Sequence, residues 1–155
     1  MTMDAATQKK HILVVDDDDN TLQSVAFILQ ADKYAVTTTT NGRTALDLLT
    51  DARDASNRID LLITDVQMPV MNGLALLDEL RRRNVTVPVL VITAFGGPAL
   101  CRDLRERGYS HRLDKPFDDV ALTTAIASIL GKHGGNTITS QCMEVSHVTD
   151  KKRSA

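Results

Sequence analysis

Residues 12–19 read ILVVDDDD, four branched apolar side chains that run directly into four aspartates. Two further apolar runs of strand length, LLI at 61–63 and VPVLVI at 87–92, also lack any alternation with polar residues. Continuous hydrophobicity over so few residues is typical of parallel strands that are covered on both faces. These three runs therefore predict the centre of a buried parallel sheet.

Helical patterns separate these runs. Weaker strands are predicted over 34–38 and 110–113. Apolar residues at helical spacing predict helices around 22–29, 45–49, 74–80, 98–107 and 120–129. Asp18 or Asp19 is expected to cap the first helix, and Gly131 to end the last. Five alternations of strand and helix favour a parallel α/β sheet with helices on both faces, because right-handed crossovers leave few other compact arrangements.

Composition argues against several classes of protein. A length of 155 residues fits one domain, and a formal net charge of −2 gives no general attraction to nucleic acid or to an anionic membrane. Neither a signal peptide nor a membrane-spanning run is present in the sequence, so a cytoplasmic location is expected. Cys101 and Cys142 lie far apart, which gives no support to a disulfide framework or a zinc site.

Charged and hydroxyl residues stand at four of the predicted strand ends, where a parallel sheet of this kind binds its ligands. In chain order they are Asp16 and Asp17, Asp65, Thr93, and Lys115. Carboxylates that meet raise each other's pKa unless a cation neutralises them, so the group indicates either a hard-metal site or a proton-sharing pair. Mg²⁺ is the simplest resolution, since it binds a few carboxylates and leaves positions open for phosphate oxygens.

Asp65 is also a candidate nucleophile. A carboxylate can attack phosphorus and form an aspartyl phosphate. The charge on the transferred oxygens would need positioned cations and hydrogen-bond donors, and Lys115 offers the charge while Thr93 offers a hydroxyl. A cis peptide bond at Pro116 would further fix the lysine, although the sequence leaves the isomer open.

Four segments together resemble the response-regulator receiver family of two-component signalling. They are ILVVDD at 12–17, LITDVQMPVMNG at 62–73, VITA at 91–94 and DKPF at 114–117, in the family's order and spacing. The resemblance implies a flavodoxin-like, doubly wound sheet of five parallel strands in the order 2-1-3-4-5 with five helices. It covers residues 9–131, which are predicted to form the receiver domain. The polar residues 132–155 are predicted to be a poorly ordered tail.

The resemblance also implies a role for each acidic residue. Asp65 would be the phosphoacceptor, supplied by a sensor histidine kinase or a histidine phosphotransfer protein. Asp17 and Asp65 would bind Mg²⁺ directly, with Mn²⁺ as an alternative. Asp16 would reach the ion largely through water, and the backbone carbonyl of Gln67 would complete the protein ligands.

The resemblance assigns the remaining site residues to phosphoryl binding and readout. Thr93 and Lys115 would contact the phosphoryl oxygens, and Thr93 would move toward them on phosphorylation. Three positions before the lysine, the family usually carries a tyrosine or phenylalanine that follows the threonine. Arg112 stands there in this sequence. Because a guanidinium is not expected to enter an apolar pocket without a partner, the aromatic half of the relay is not carried over.

These implications describe a signalling switch that assists its own phosphorylation and dephosphorylation and has no metabolic substrate of its own. The surface around the fourth helix, fifth strand and last helix would be read by a downstream protein. No DNA-binding output domain is recognised, so a stand-alone receiver without direct nucleic-acid or membrane contacts is expected. A phosphorylation-dependent homodimer is left open.

Two other functions compete with this interpretation. A phosphatase of the haloacid-dehalogenase type would also use an aspartate nucleophile, but it resembles a D-x-D pattern on the first strand, whereas Asp65 ends the third. A degenerate receiver that works by constitutive contacts is the second alternative, and Arg112 is its best support. A response to acetyl phosphate or beryllofluoride with Mg²⁺ would separate the three.

Overall fold

The computed structural model describes residues 9–51, 58–68, 70–94 and 96–131. Over these residues, strands and helices alternate five times. The strands are β1 (His11–Val15), β2 (Ala35–Thr39), β3 (Leu61–Asp65), β4 (Val89–Thr93) and β5 (Arg112–Asp114). The helices are α1 (Asp19–Ala31), α2 (Gly42–Asp51), α3 (Gly73–Arg82), α4 (Pro98–Glu106) and α5 (Asp119–Leu130). The predicted tail, 132–155, lies outside the described residues.

The five strands form one parallel sheet in the order β2-β1-β3-β4-β5. The predicted fold class and strand order are therefore confirmed. Three strands start later than predicted, and β2 and β5 begin at Ala35 and Arg112 rather than at 34 and 110. β4 begins at Val89 rather than at Val87. The cause is Pro88, which has no amide hydrogen to donate to a neighbouring strand, although its carbonyl oxygen accepts from the Leu62 N–H at 2.9 Å.

The apolar runs of β1, β3 and β4 are continuous because these three strands bury side chains on both faces of the sheet. Along β1, Ile12 and Val14 pack on one face with side chains from α1 and α5. Leu13 and Val15 pack on the other face with side chains from α2 and α3. All four are fully buried. Each contributes about 1.5–3 kcal/mol through the removal of apolar surface from water, which holds the strands in register.

Helix ends follow the expected capping chemistry. Asp18, rather than Asp19, is the N-cap of α1, and its carboxylate accepts from the Asn20 N–H. Gly131 ends α5 in the left-handed conformation at φ 77°, which glycine adopts without steric cost. In the described part of the chain, every helix is too short or too polar to cross a membrane.

Candidate functional site

The carboxyl ends of neighbouring strands bring the predicted site residues to one edge of the sheet. Asp65 is the last residue of β3, and Asp16 and Asp17 follow the adjacent strand β1. Thr93 is the last residue of β4 on the other side, and Lys115 follows β5. Asp16 is fully buried, and Asp65 and Thr93 are 6% and 1% exposed, so only Asp17 of the three aspartates is open to solvent.

The three aspartates form a compact acidic cluster. Asp16, Asp17 and Asp65 each offer a carboxylate oxygen, and these oxygens lie within 4.8 Å of one another. The Lys115 ammonium donates to Asp16 Oδ2 at 2.7 Å and to Asp65 Oδ2 at 3.2 Å. Three carboxylates and one ammonium leave a formal charge of −2. This oxygen donor set and its excess negative charge fit a hard divalent cation such as Mg²⁺.

Backbone groups orient the Asp65 carboxylate. Its Oδ1 accepts from the Val66 N–H at 2.7 Å and, at 3.4 Å, from the N–H of Gln67. Its Oδ2 faces Lys115. The residue that ends the central strand is thus held by the turn that follows it. The Gln67 backbone lies beside Asp65, and the role of its carbonyl as a metal ligand stays a prediction.

Burial and neighbouring charges oppose each other at the site. Burial raises the pKa of Asp65, the Asp16 charge raises it further, and the hydrogen bond and charge of Lys115 only partly offset this. Burial lowers the pKa of Lys115, but its hydrogen bond to Asp16 and the charges of both aspartates outweigh burial and raise it overall. The raised pKa of Lys115 favours its protonated form, and the raised pKa of Asp65 means that its ionisation carries a cost that a nearby cation would reduce.

Gly73 is a supporting residue to which sequence reasoning gave no role. A Cβ at this position would lie 2.2 Å from the Asp65 carbonyl oxygen and 2.9 Å from the Val66 Cα. The Gly73 N–H donates to the Val66 carbonyl at 2.8 Å. The start of α3 therefore packs directly against the backbone of Asp65. The Asn72-Gly73 dipeptide is a sequence signal of a turn here, but it does not indicate the close approach to Asp65.

Arg112 is buried, and it has the partner that sequence reasoning required. The side chain is 4% exposed, and Nη1 donates to the Cys101 Sγ at 2.7 Å. Nη2 donates to Asp114 Oδ2 at 3.3 Å. The Arg112 Nε lies 3.0 Å from Asp114 Oδ1, which is an ion-pair distance, but the angle between the two groups does not allow a hydrogen bond.

The peptide bond between Lys115 and Pro116 is cis.

Comparison with known proteins identifies the family. The sequence profile described as the response regulator receiver domain matches residues 12–127. The chain belongs to this receiver family. Receiver domains are the phosphoacceptor switches of two-component response regulators, and in general they bind Mg²⁺ at an acidic pocket and interact with histidine kinases or phosphotransfer proteins.

Relatives of this receiver occur in bacteria and plants. It is 37% identical to the transcriptional regulatory protein FixJ of Azorhizobium caulinodans over 77% of this chain and 54% of FixJ. It is 39% identical to the two-component response regulator ARR10 of Arabidopsis thaliana over 68% of this chain and 18% of ARR10. The chain thus spans about half of FixJ and a smaller part of ARR10.

Among solved structures, the chemotaxis protein CheY4 of Vibrio cholerae superposes on this receiver with a TM-score of 0.71 at 30% identity. The match covers 79% of this chain and 99% of CheY4. The flavodoxin-like arrangement implied by the sequence resemblance is therefore confirmed.

Proposed function

We propose that Asp65 is the phosphoacceptor of this receiver and that it takes a phosphoryl group from a sensor histidine kinase or a histidine phosphotransfer protein. The observation that supports this assignment is the position of Asp65 at the end of the central strand. There its carboxylate lies beside the carboxylates that follow β1 and 3.2 Å from the Lys115 ammonium. An Asp65 oxygen attacks phosphorus, the P–N bond to the donor histidine breaks, and the imidazole keeps the electron pair and takes up a proton.

Asp16, Asp17, Asp65 and the Gln67 carbonyl are proposed to hold Mg²⁺, with Mn²⁺ as the alternative. When bound, the ion would neutralise the clustered carboxylates and stabilise charge on the transferred oxygens. Before transfer, the contact of Asp16 with Lys115 keeps the ammonium within reach of Asp65. This preorganisation lowers the cost of bringing a charged donor group to an acidic pocket.

Lys115 and Thr93 are proposed to bind the phosphoryl oxygens. The ammonium already contacts Asp65 Oδ2, so a short movement would bring it to a phosphoryl oxygen while it keeps its 2.7 Å contact with Asp16. Thr93 ends the strand next to β3 and is buried, and this position at the carboxyl edge of the sheet supports the proposed role. In this proposal the domain assists its own phosphorylation and hydrolysis and acts as a switch rather than a metabolic enzyme.

The proposed receiver unit spans 9–131, works in the cytoplasm and signals to a downstream protein. A formal net charge of −2 supports a readout by protein contact rather than by direct binding to nucleic acid or membrane. A phosphorylation-dependent homodimer is an alternative form of the same readout. The haloacid-dehalogenase alternative is disfavoured because Asp65 ends β3 and not β1.

Acetyl phosphate with Mg²⁺, followed by intact-mass measurement, tests the assignment. We expect one phosphoryl group on the parent protein, none after chelation of the metal, and none on Asp65→Asn. Asp19→Asn is a matched control, because Asp19 belongs to the same acidic run but is the exposed first residue of α1. It should react like the parent.

Three outcomes would contradict the assignment of Asp65 as the phosphoacceptor of a receiver switch. Full phosphorylation of Asp65→Asn would remove Asp65 from the mechanism. Steady turnover of many phosphate esters would favour the phosphatase. A parent protein that reacts with no phosphodonor would favour the degenerate receiver.

A further inference from the structure

The seam between β5 and the start of α4 contains an ion pair in which the arginine is buried and the aspartate is half exposed. Arg112 and Asp114, at the two ends of β5, form this pair on the side of the strand that faces α4. The Arg112 guanidinium also covers the thiol of Cys101, which is 6% exposed within α4. A Cβ at Gly96 would lie 2.9 Å from Asp114 Oδ1 and 3.3 Å from Arg112 Nε. The ion pair therefore contacts both α4 and the segment that leads into it.

This seam is joined to the phosphorylation site through the ends of β4 and β5. Thr93 is paired with Asp114 across the two strands, and the Thr93 carbonyl accepts from the Lys115 N–H at 2.8 Å. Gly96 lies three positions after Thr93 in the sequence. A displacement of Thr93 toward the phosphoryl oxygens would thus also shift the backbone at Gly96. This backbone lies next to both members of the ion pair.

The two members of the pair differ in their access to water. The Asp114 side chain is 52% exposed, whereas that of Arg112 is 4% exposed. A buried guanidinium without a carboxylate partner is strongly destabilised by desolvation, so loss of the contact with Asp114 would move the Arg112 side chain into solvent. The N-cap of α4 is Gly97, so no side-chain hydrogen bond caps the start of this helix. The seam can therefore exist in a closed and an open arrangement.

We propose that Arg112 and Asp114 form a latch that holds the start of α4 against β5, and that phosphorylation of Asp65 opens it. The inference rests on the proposed function of Asp65 and concerns how that site is read out. In the closed state Arg112 covers Cys101. In the open state the displaced backbone at Gly96 separates the charges, Arg112 leaves the seam, and the surface formed by α4 and β5 changes shape.

Cys101 provides a direct probe of the latch. The chain has two cysteines, so Cys142→Ser leaves Cys101 as the only thiol. We expect acetyl phosphate with Mg²⁺ to raise the labelling rate of Cys101 by a thiol reagent at least about fivefold, the lower end of ordinary coupling between sites. Asp114→Asn, which keeps the side-chain size but removes its charge, should raise the rate without phosphodonor and reduce the further response.

Asp78→Asn is the matched control. Asp78, in α3, forms an ion pair with Arg107 at 2.7 Å. Arg107 follows the last residue of α4, so this ion pair lies at the opposite end of α4 from Gly97. Its loss should leave the labelling rate of Cys101 unchanged. Arg112→Lys provides a second reading if Asp114→Asn lowers the melting temperature sharply, because lysine keeps the charge but cannot contact Cys101 and Asp114 together.

Measurement of the phosphoryl group by intact mass in the same samples separates the two proposals. If the parent carries the group and Cys101 labels no faster, the latch is wrong and the assignment of Asp65 stands. If the parent takes up no phosphoryl group, the proposed function fails. In that case the rates of Asp114→Asn and Arg112→Lys without phosphodonor still decide the latch, and rates equal to the parent's would overturn it.

Discussion

His111 shows how burial acts on an ionisable side chain that lies away from the acidic cluster. It immediately precedes β5, at the opposite edge of the sheet from Asp65. Its Nδ1 atom is buried and has no hydrogen-bond partner among the described residues. Burial lowers the pKa of the imidazole from 6.5 because the charged form loses solvation. The folded protein therefore favours neutral His111.

This shift gives His111 a predictable effect on stability. Between pH 6.5 and the lower pKa of the folded state, the unfolded chain binds more protons, so the free energy of unfolding falls as the pH falls. We expect His111→Gln to lose less stability than the parent between neutral pH and about pH 5. Urea unfolding at a series of pH values measures this difference. Parallel curves for the two proteins would contradict the prediction.

At the scale of elements, helix caps fix the loops that carry the site. Asp18 caps α1 one residue after Asp17, and Asp118 caps α5 three residues after Lys115. Asn72 caps α3 immediately before Gly73, which packs against Asp65. Each cap ties a loop at the carboxyl edge of the sheet to the helix that follows. Local sequence thus decides both the helix start and the position of a site residue.

The cap of α5 can be tested by comparing two neighbouring aspartates. The Asp118 carboxylate accepts from the Ala121 N–H at 2.8 Å, whereas Asp119 is the first residue of the helix. Asp118→Ala should cost about 1 kcal/mol of the free energy of unfolding, the usual value for loss of an N-cap. Asp119→Ala should cost less, since it removes only a favourable charge near the helix start. Urea unfolding of both variants checks this, and equal losses would count against the cap.

The elements and the acidic residues could be predicted from the sequence because they depend on local pattern. Continuous apolar runs indicated the buried strands, and the polar residues directly after them indicated the edge where Asp16, Asp65 and Thr93 meet. The close approach of Gly73 to Asp65 could not be predicted in this way. It depends on where α3 packs after a turn, and the sequence around Gly73 and Asp65 contains no pattern that indicates the distance between them. The contact of Arg112 with Cys101 likewise depends on the packing of α4 against β5.

At the scale of the whole molecule, two apolar layers enclose one sheet. One layer packs under α1 and α5, and the other packs under α2 and α3. The sequence indicated helices on both faces, but hydrophobic pattern alone does not say which strands are neighbours. The order 2-1-3-4-5 came from the resemblance to a family. Both layers are complete between Ile12 and Leu130 as far as the described residues show.

Truncation tests whether the receiver unit is self-sufficient. A chain that ends at Gly131 keeps every described residue of both layers and every residue of the proposed site. We expect its free energy of unfolding to stay within about 0.5 kcal/mol of the full chain, as for changes remote from the core. Its phosphorylation by acetyl phosphate should also be unchanged. A substantial loss of stability in thermal or urea unfolding would assign part of the fold to residues 132–155.

The contact between Gly73 and the Asp65 backbone makes the position of the Asp65 carboxylate depend on backbone packing. A methyl group at position 73 would displace the peptide that carries the Asp65 carboxylate, the proposed phosphoacceptor, without altering any charged or hydrogen-bonding side chain. The constraint on position 73 is therefore steric, since any side chain there meets the backbone of Asp65 and Val66. A substitution at Gly73 that changes no proposed reactive group is therefore expected to impair phosphorylation, because the main chain sets the position of the Asp65 carboxylate.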